Sequence, residues 1–141
     1  MQTILCFDYG HKKIGLAVGN DISKTAQELI TVNCSKGIPD WALIDKTVSQ
    51  WKPDLLLLGL PLNMDGTESN FSKQARQFGE MLGTRYNLNV EHEDERLSSS
   101  EADKLIRNSL GTKQGFSKKL QSKRDQIAAR LILESYFTRY A

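Results

Sequence analysis

Three short segments carry acidic residues whose chemistry would suit a divalent cation. Asp8 follows an apolar run and precedes Gly10, so its carboxylate would stand at a strand end where the backbone turns tightly. Residues 93–95 form an acidic run, and Asp125 stands near the start of a long helical segment. Carboxylate oxygens are ligands that Mg²⁺ prefers, and adjacent carboxylates repel unless a cation or basic group compensates them. These acids predict a metal centre.

Each acid also has a purely structural interpretation. Asp8 could hydrogen-bond the amides of its own turn. Residues 93–95 could form a solvated loop, with Arg96 as counter-ion and Ser98 as a helix cap. Asp125 could complement the dipole of a helix if it lies in the first turn. Taken one at a time, the motifs leave these alternatives open.

Basic residues flank the acidic positions and indicate a polyanionic ligand. Lys12 and Lys13 follow Asp8 and are expected to contact phosphate. A second basic group lies at the approach to the last helix and comprises Lys113, Lys118, Lys119, Lys123 and Arg124. Of these, Lys118 and Lys123 are also expected to contact phosphate. A solvated face explains many such runs, and the net charge of +2 does not by itself identify a nucleic-acid binder.

The loop at residues 59–66 could form a wall of the substrate site, because it leaves a central strand at the edge where ligand loops usually gather. Within it, Asn63 is a candidate substrate contact. No aromatic stacking platform is evident in the sequence, so contact with a nucleic acid is expected through backbone and shape rather than base sequence.

Other catalytic chemistries find less support. Residues 98–100 are serines without a nearby histidine base, and His11 and His92 lack metal-ligand spacing. Cys6 and Cys34 lie in or beside apolar segments without the paired spacing of a zinc or redox site, which predicts reduced core residues.

The strands that would position these residues follow from apolar periodicity. Residues 3–9 and 14–19 are typical of a hairpin, and a third strand around 26–33 completes an antiparallel meander. The run at 55–59 predicts a strand in the middle of the sheet, buried on both faces, and residues 88–95 predict a fifth strand that ends in acids.

Helices are predicted between and after these strands. One opens at Pro39 and Asp40 and closes at Lys52, a second runs from about Phe71 to Tyr86, and a third follows Ser98 or Ser99. After a mobile loop at 111–118, the last helix spans about 120–139, with a buried stripe at Ala128, Leu131, Ile132 and Ser135.

This order of elements predicts an α/β fold with a five-stranded mixed sheet: a three-stranded antiparallel meander plus two parallel strands, flanked by helices. Right-handed crossovers would place the fourth strand beside the first. The ends of the first and later strands and the start of the last helix would then share one edge.

Length and composition fit one folded domain over residues 1–141. Hydrophobic residues make up 39% and charged residues 26% of the chain, as in ordinary globular proteins. The longest apolar runs, 4–7 and 55–58, fall far short of the roughly 18 residues that suggest a bilayer span. With no signal peptide at the start, we expect a cytoplasmic protein without a membrane partner.

Four motifs together resemble a known family. FDYGHKKIGLAVG, GLPLNMDG, DERLSS and RDQIAARLILESYF are similar, in order and spacing over nearly the whole chain, to the YqgF/RuvX family of pre-16S rRNA nucleases. That family is related to Holliday-junction resolvases and has a ribonuclease H-like fold. Two positions depart from its pattern: His11 stands where many relatives have Thr, and Ser99 replaces the Thr that usually ends the third motif.

The resemblance implies a magnesium-dependent nuclease, with Mn²⁺ as a substitute, that acts near the 5′ end of precursor ribosomal RNA or on ribosomal particles. It assigns metal binding and catalysis to Asp8, Glu95 and Asp125. Asp8 would bridge two ions in an in-line displacement, while the other two acids would each orient one. Arg96 would join the substrate contacts.

Other functions stay open at this point. The chain could be a non-catalytic RNA-binding ribosome-assembly factor, or a resolvase acting on branched DNA. A phosphate loop of the actin and sugar-kinase type would need two domains to clamp nucleotide. Oligomeric state, the mode of cleavage and any share of Asp94 in the metal site are not determined by the sequence.

Overall fold

A mixed six-stranded sheet forms the centre of the protein. The computed structural model describes residues 2–63, 65–94 and 118–139, without the side chains of 118–122. The strands are β1 (Thr3–Asp8), β2 (Lys13–Asn20), β3 (Thr25–Ser35), β4 (Ile38–Pro39), β5 (Leu55–Leu60) and β6 (Val90–Asp94). The helices are α1 (Trp41–Trp51), α2 (Asn70–Tyr86) and α3 (Lys118–Arg139).

The strand order is β4-β3-β2-β1-β5-β6. The first four strands pair antiparallel, whereas β1, β5 and β6 run parallel. This confirms the predicted α/β class, the antiparallel meander and the placing of the 55–59 strand beside the first strand. All six residues of β5 are buried, as expected of a strand covered on both faces, although β5 lies one position from the edge rather than in the middle.

The sheet separates two cores because successive side chains of a strand point to opposite faces. Leu5 and Phe7 of β1 pack with residues of α1 and α2 on one face. Ile4 and Cys6 alternate with them and pack against α3 on the other. Neither cysteine forms a disulfide; Cys6 is buried and Cys34 half-buried, as predicted for reduced packing residues. The strand end at Asp8 therefore presents its side chain to the α3 face.

The sixth strand, β4, was not predicted. Cys34 and Ser35 pair with Pro39 and Ile38 across a two-residue turn, in which Lys36 and Gly37 have φ of 53° and 78°. Two positive φ values are the geometry of a tight hairpin turn, which Gly favours. The helix predicted to open at Pro39 begins instead at Trp41.

The cap of α1 is Asp40, whose side chain accepts a hydrogen bond from the Leu43 amide at 3.3 Å. This satisfies one of the amides that lack a partner at a helix start. In the described part of the chain, no helix is long and apolar enough to cross a membrane. The helix predicted after Ser98 or Ser99 and the loop at 111–117 lie outside the described residues.

Helix α3 crosses every long strand of the sheet. Its predicted stripe was wrong except at Ile132: the buried residues are Ile127, Ala129, Ile132, Leu133 and Phe137. Ala128, Leu131 and Ser135 are half-buried. Which face of the helix is buried depends on where the helix contacts the sheet. The helical period of the sequence alone does not determine that face.

We expect Ile132→Ala to destabilise the protein by about 2–5 kcal/mol, because it removes a fully buried side chain from the core under α3 and leaves a cavity. Met81→Ala is the control, since Met81 is 48% exposed and its truncation should change the free energy of unfolding by less than about 0.5 kcal/mol. Urea unfolding followed by circular dichroism measures both. Equal stability of the two variants would contradict this account of the core.

Candidate active site

Asp8 lies at the end of β1 between two residues that have no side chain. On one side it is in register with Gly15 of β2. On the other, the ladder with β5 ends at the preceding residue pair, Phe7 and Leu58, so Asp8 is level with Gly59. Neither of these two neighbours therefore places a side chain beside the half-buried carboxylate. A hard oxygen donor fixed on a rigid strand fits a divalent cation.

Gly15 is also a point where α3 lies very close to the sheet. A Cβ atom at this position would collide with the backbone carbonyl of Asp125 and lie 2.8 Å from its Cβ. Only glycine permits this approach. Because Gly15 pairs with Asp8, the contact brings the backbone of Asp125 over the residue next to Asp8. The structure thus brings these two predicted metal ligands to the same place on the α3 face.

The position of Asp125 within its helix argues against a role as dipole partner. It is the eighth residue of α3, which begins at Lys118. The dipole effect falls off within the first turn, so a carboxylate two turns in gains little from it. Burial raises the pKa of Asp125, and the charges of Lys13 and Arg124 oppose that shift. A carboxylate with reduced solvation gains stability from a cation.

A side-chain hydrogen bond fixes this part of α3 laterally. Gln126 donates from Nε2 to the Oγ1 atom of Thr31 at 3.1 Å. Thr31 is in register with Gly15 on β3, so the bond lies in the same cross-strand row as Asp8. Sequence reasoning missed Gln126, because 95 residues separate it from its partner.

Glu93 is held by α3 and is compensated within the protein. It is 1% exposed, accepts a hydrogen bond from Ser135 Oγ at 2.9 Å and pairs with Arg139 at 3.4 Å. Tyr136 adds a 2.7 Å hydrogen bond to Glu91. These contacts dock the last turns of α3 on β6. One member of the acidic run is therefore an anchor, with a basic partner rather than a metal.

Asp94 follows Glu93 and is in register with Leu60. Strand alternation assigns its side chain to the opposite face from Glu93. That face is the one covered by α1 and α2, whereas Asp8 and Asp125 lie on the α3 face.

The basic residues fall around these acids. Lys13, exposed at the start of β2, lies close enough to Asp125 to influence its pKa. Lys12 is exposed in a turn whose carbonyl accepts a 2.8 Å hydrogen bond from the Cys34 amide. Lys123 is exposed on α3, two residues before Asp125. Lys118 begins α3, and its side chain lies outside the described residues.

Asn63 closes the loop that follows β5. Its amide side chain donates to Thr67 Oγ1 at 3.1 Å, and its backbone amide bonds the Thr67 carbonyl at 2.8 Å. Asp65 accepts from the Thr67 amide at 3.0 Å. These bonds hold Asn63, Asp65 and Thr67 together, as residues in the wall of a site would need. Contact between Asn63 and a substrate stays a prediction.

An aromatic row lies on the other side of the Asp8 strand end. Tyr9 contacts the Phe71 ring at 5.6 Å between centroids, and Phe71 contacts His11 at 4.5 Å. We expected a site without aromatic surface, and the structure shows this row instead. The sequence did not reveal it because Phe71 lies in α2, 60 residues after His11. Only the close spacing of Tyr9 and His11 signalled it in the sequence.

Glu95 and Arg96 lie outside the described residues, so their assignment stays a prediction. Within residues 2–63, 65–94 and 118–139, no three His, Cys, Asp or Glu side chains converge as a metal site. Asp8 and Asp125 supply two carboxylates on one face, and a third ligand has to come from elsewhere.

The chain is similar to a known protein family and to individual relatives. A family model described as RuvX, Holliday junction resolvase, matches residues 2–139. A relative from Mannheimia succiniciproducens is 47% identical over 137 residues, covering 97% of this chain and 95% of that protein. One from Actinobacillus succinogenes is 45% identical over 136 residues, with 96% and 94% covered. Both bear the provisional name pre-16S rRNA nuclease.

Solved structures share the fold. RuvC of T. thermophilus in complex with a Holliday junction substrate matches with a TM-score of 0.57 at 14% identity, covering 100% of this chain and 97% of that one. Fowlpox virus resolvase bound to Holliday junction DNA matches at 0.52 and 18%, with 98% of each chain covered. The expected ribonuclease H-like fold is thereby confirmed.

We expect Gly15→Ala to weaken Mn²⁺ binding by about tenfold or more, in the range seen when the supports of metal ligands are changed. The added methyl group pushes the Asp125 backbone away from Asp8. Gly19→Ala is a matched control on the same strand, because its Cβ would collide with the Thr25 carbonyl and press on Leu133 of the same helix at 2.7 Å, away from Asp8. Titration calorimetry should show near-normal affinity in the control; equal losses would contradict the role of Gly15.

We expect Asp125→Asn to raise the melting temperature at pH 7 without metal. Burial raises the folded-state pKa of Asp125 above its unfolded value, so its ionisation costs stability as pH rises through that window. The gain should vanish below pH of about 3.9, where the wild-type group is protonated in both states. Calorimetry at several pH values tests this, and a lower melting temperature at pH 7 would show that the ionised group is well compensated.

Proposed function

The chain belongs to the RuvX family, and on this premise we propose that it is a metal-dependent nuclease that hydrolyses phosphodiester bonds near the 5′ end of precursor 16S ribosomal RNA. The observation that carries the proposal is the approach of Asp125 to Asp8 through the side-chain-free position at Gly15. This contact sets the backbone of one acidic residue over the position that pairs with another.

Asp8 and Asp125, with Glu95 as the third ligand, would hold the metal. When bound, a divalent cation such as Mg²⁺, or Mn²⁺ in its place, stabilises charge on the phosphate and on the leaving oxygen of an in-line displacement. The donor set is composed of hard oxygens, as Mg²⁺ prefers. The place of Asp8 at a rigid strand end and the reduced solvation of Asp125 both favour a cation there.

The remaining residues would hold the substrate and keep the acids in place. Lys12 and Lys13 are exposed beside the site and would bind flanking phosphates, as would Lys123 and Lys118 on α3. Arg96 would add a contact, and the closed loop at Asn63 would form a wall. The pairing of Glu93 with Arg139 keeps α3 on the sheet while substrate binds.

The names of the relatives favour ribosomal RNA precursor, free or within ribosomal particles, as the partner. Such a precursor would be met in the cytoplasm, where free thiols such as Cys6 and Cys34 persist. A second candidate, resolution of branched DNA, is favoured by the description of the family itself as Holliday junction resolvase. Both substrates offer the phosphodiester that the acids would attack.

The test compares the two substrates directly. Purified protein is incubated with small-subunit precursor RNA and with a four-way DNA junction, each with and without Mg²⁺. Cleavage of the RNA alone supports the first function, and cleavage of the junction alone the second. Tight binding of RNA without cleavage of either substrate would make the protein a non-catalytic assembly factor and overturn the nuclease proposal.

We expect Asp8→Asn to slow cleavage by more than about a hundredfold, the upper end of losses for changes around a metal ligand. The amide is nearly the same shape but lacks the charge that attracts the cation. Glu80→Gln on the exposed face of α2 is the control and should cleave normally. Single-turnover rates measure both variants, and circular dichroism checks that each is folded. Normal cleavage by Asp8→Asn would remove Asp8 from the chemistry.

A further inference from the structure

An aromatic row runs from the core to the surface beside the candidate active site. Ring centroids of Trp41 and Phe78 are 5.8 Å apart, Phe78 and Tyr9 5.1 Å, Tyr9 and Phe71 5.6 Å, and Phe71 and His11 4.5 Å. Phe78 is buried, Tyr9 and Phe71 are half-buried, and His11 is exposed. The row therefore ends in an exposed ring that is backed by other rings.

We propose that His11 and Phe71 form a stacking platform for an unpaired nucleobase next to the phosphate that is cleaved. The inference rests on the proposed function, because it takes the ligand to be the same nucleic-acid strand. The proposal adds that one base stacks on these rings, while the positive charges bind the phosphate backbone.

The platform lies within reach of a strand that is bound at Asp8. His11 follows Asp8 by three residues, so at most about 10 Å separates their Cα atoms. Lys12 and Lys13 come directly after His11 and are exposed. Positive charge that tracks the backbone, together with a ring on which a base stacks, is how proteins bind single strands without reading sequence.

The platform is held in position before any ligand binds. The turn carrying His11 is fixed to β3, because the Cys34 amide donates to the Lys12 carbonyl at 2.8 Å and the Cys34 thiol lies 4.0 Å from the Gly10 carbonyl. Binding therefore requires little ordering of the loop.

Phe71 is fixed just as firmly, in the first turn of α2. Ser69 caps this helix, accepting from the Ser72 amide at 3.1 Å, and the Ser72 hydroxyl accepts from the Ser69 amide at 3.1 Å. The Tyr9 ring supports Phe71 from the core side. The exposed His11 ring therefore rests on a rigid aromatic support, which favours binding of a flat aromatic ligand.

The experiment measures binding separately from cleavage. Ca²⁺ replaces Mg²⁺, and fluorescence anisotropy gives the Kd of a labelled single-stranded RNA and of matched strands in which one base at a time is removed to leave an abasic site. The variants are His11→Ala, His11→Phe, which keeps a flat ring without charge, and His92→Ala, which removes the other histidine, beside Gly79 of α2.

We expect His11→Ala to weaken binding of the intact strand by about tenfold, within the range for loss of one stacked base. His11→Phe should restore the wild-type Kd to within about threefold, and His92→Ala should leave it unchanged. One abasic position should weaken wild-type binding by a similar factor and have no further effect on His11→Ala. The salt dependence of binding should be unaltered in His11→Ala but reduced in Lys12→Ala.

Two results would overturn the platform. Equal Kd values for wild type and His11→Ala would do so, as would a loss in His11→Ala that no abasic position reproduces. If His11→Ala is unfolded by circular dichroism, His11→Thr takes its place and faces the same criteria. Wild type that cleaves RNA but shows no dependence on His11 disproves the platform alone, whereas wild type that neither binds nor cleaves nucleic acid disproves the proposed function.

Discussion

The arrangement of the site depends on one close contact, that between α3 and the sheet at Gly15. A side chain there would collide with the backbone of Asp125, so the absence of a Cβ sets both how near the helix lies and which of its residues sits beside Asp8. The hydrogen bond from Gln126 to Thr31 and the docking of Glu93 on Ser135 and Arg139 fix the helix at two further points. Three contacts along one helix define its position on a sheet, because each removes a different freedom to slide or rotate.

The acids differ in how the folded protein compensates their charge. Glu93 is buried with a hydroxyl donor and an arginine, which makes its charge tolerable in the folded protein. Asp125 is also poorly solvated, but burial dominates and its pKa rises despite nearby positive charge. An acid whose ionised form is disfavoured in the folded state is the one that gains from a cation. Burying such a carboxylate costs stability, and this cost is expected at a site where a bound ligand, rather than a protein group, neutralises the charge.

Strand alternation places two different chemistries at the end of β1. Asp8 points towards α3 and its acids, whereas Tyr9, the next residue, packs with Phe71 and Phe78 on the α2 side. The turn that follows carries His11 and two lysines at the surface. Within six consecutive residues the chain therefore offers an acid that we propose binds metal, an aromatic support and positive charge. A nucleic-acid strand, with its phosphates and bases, has a counterpart for each of them.

The sequence by itself determined the α/β class, the meander, the buried β5 strand and the family, because apolar periodicity and ordered motifs are local properties of the chain. It also singled out Asp8, Asp125 and, through the family motif, Glu95, and the metal-binding role of all three stays a prediction. It did not determine β4, whose turn depends on Lys36 adopting a positive φ, nor the buried side of α3. The role of Glu93 and the row from Trp41 to His11 were likewise decided by the tertiary structure. They depend on contacts between residues tens of positions apart, and no local pattern records which face of a helix meets which row of a sheet.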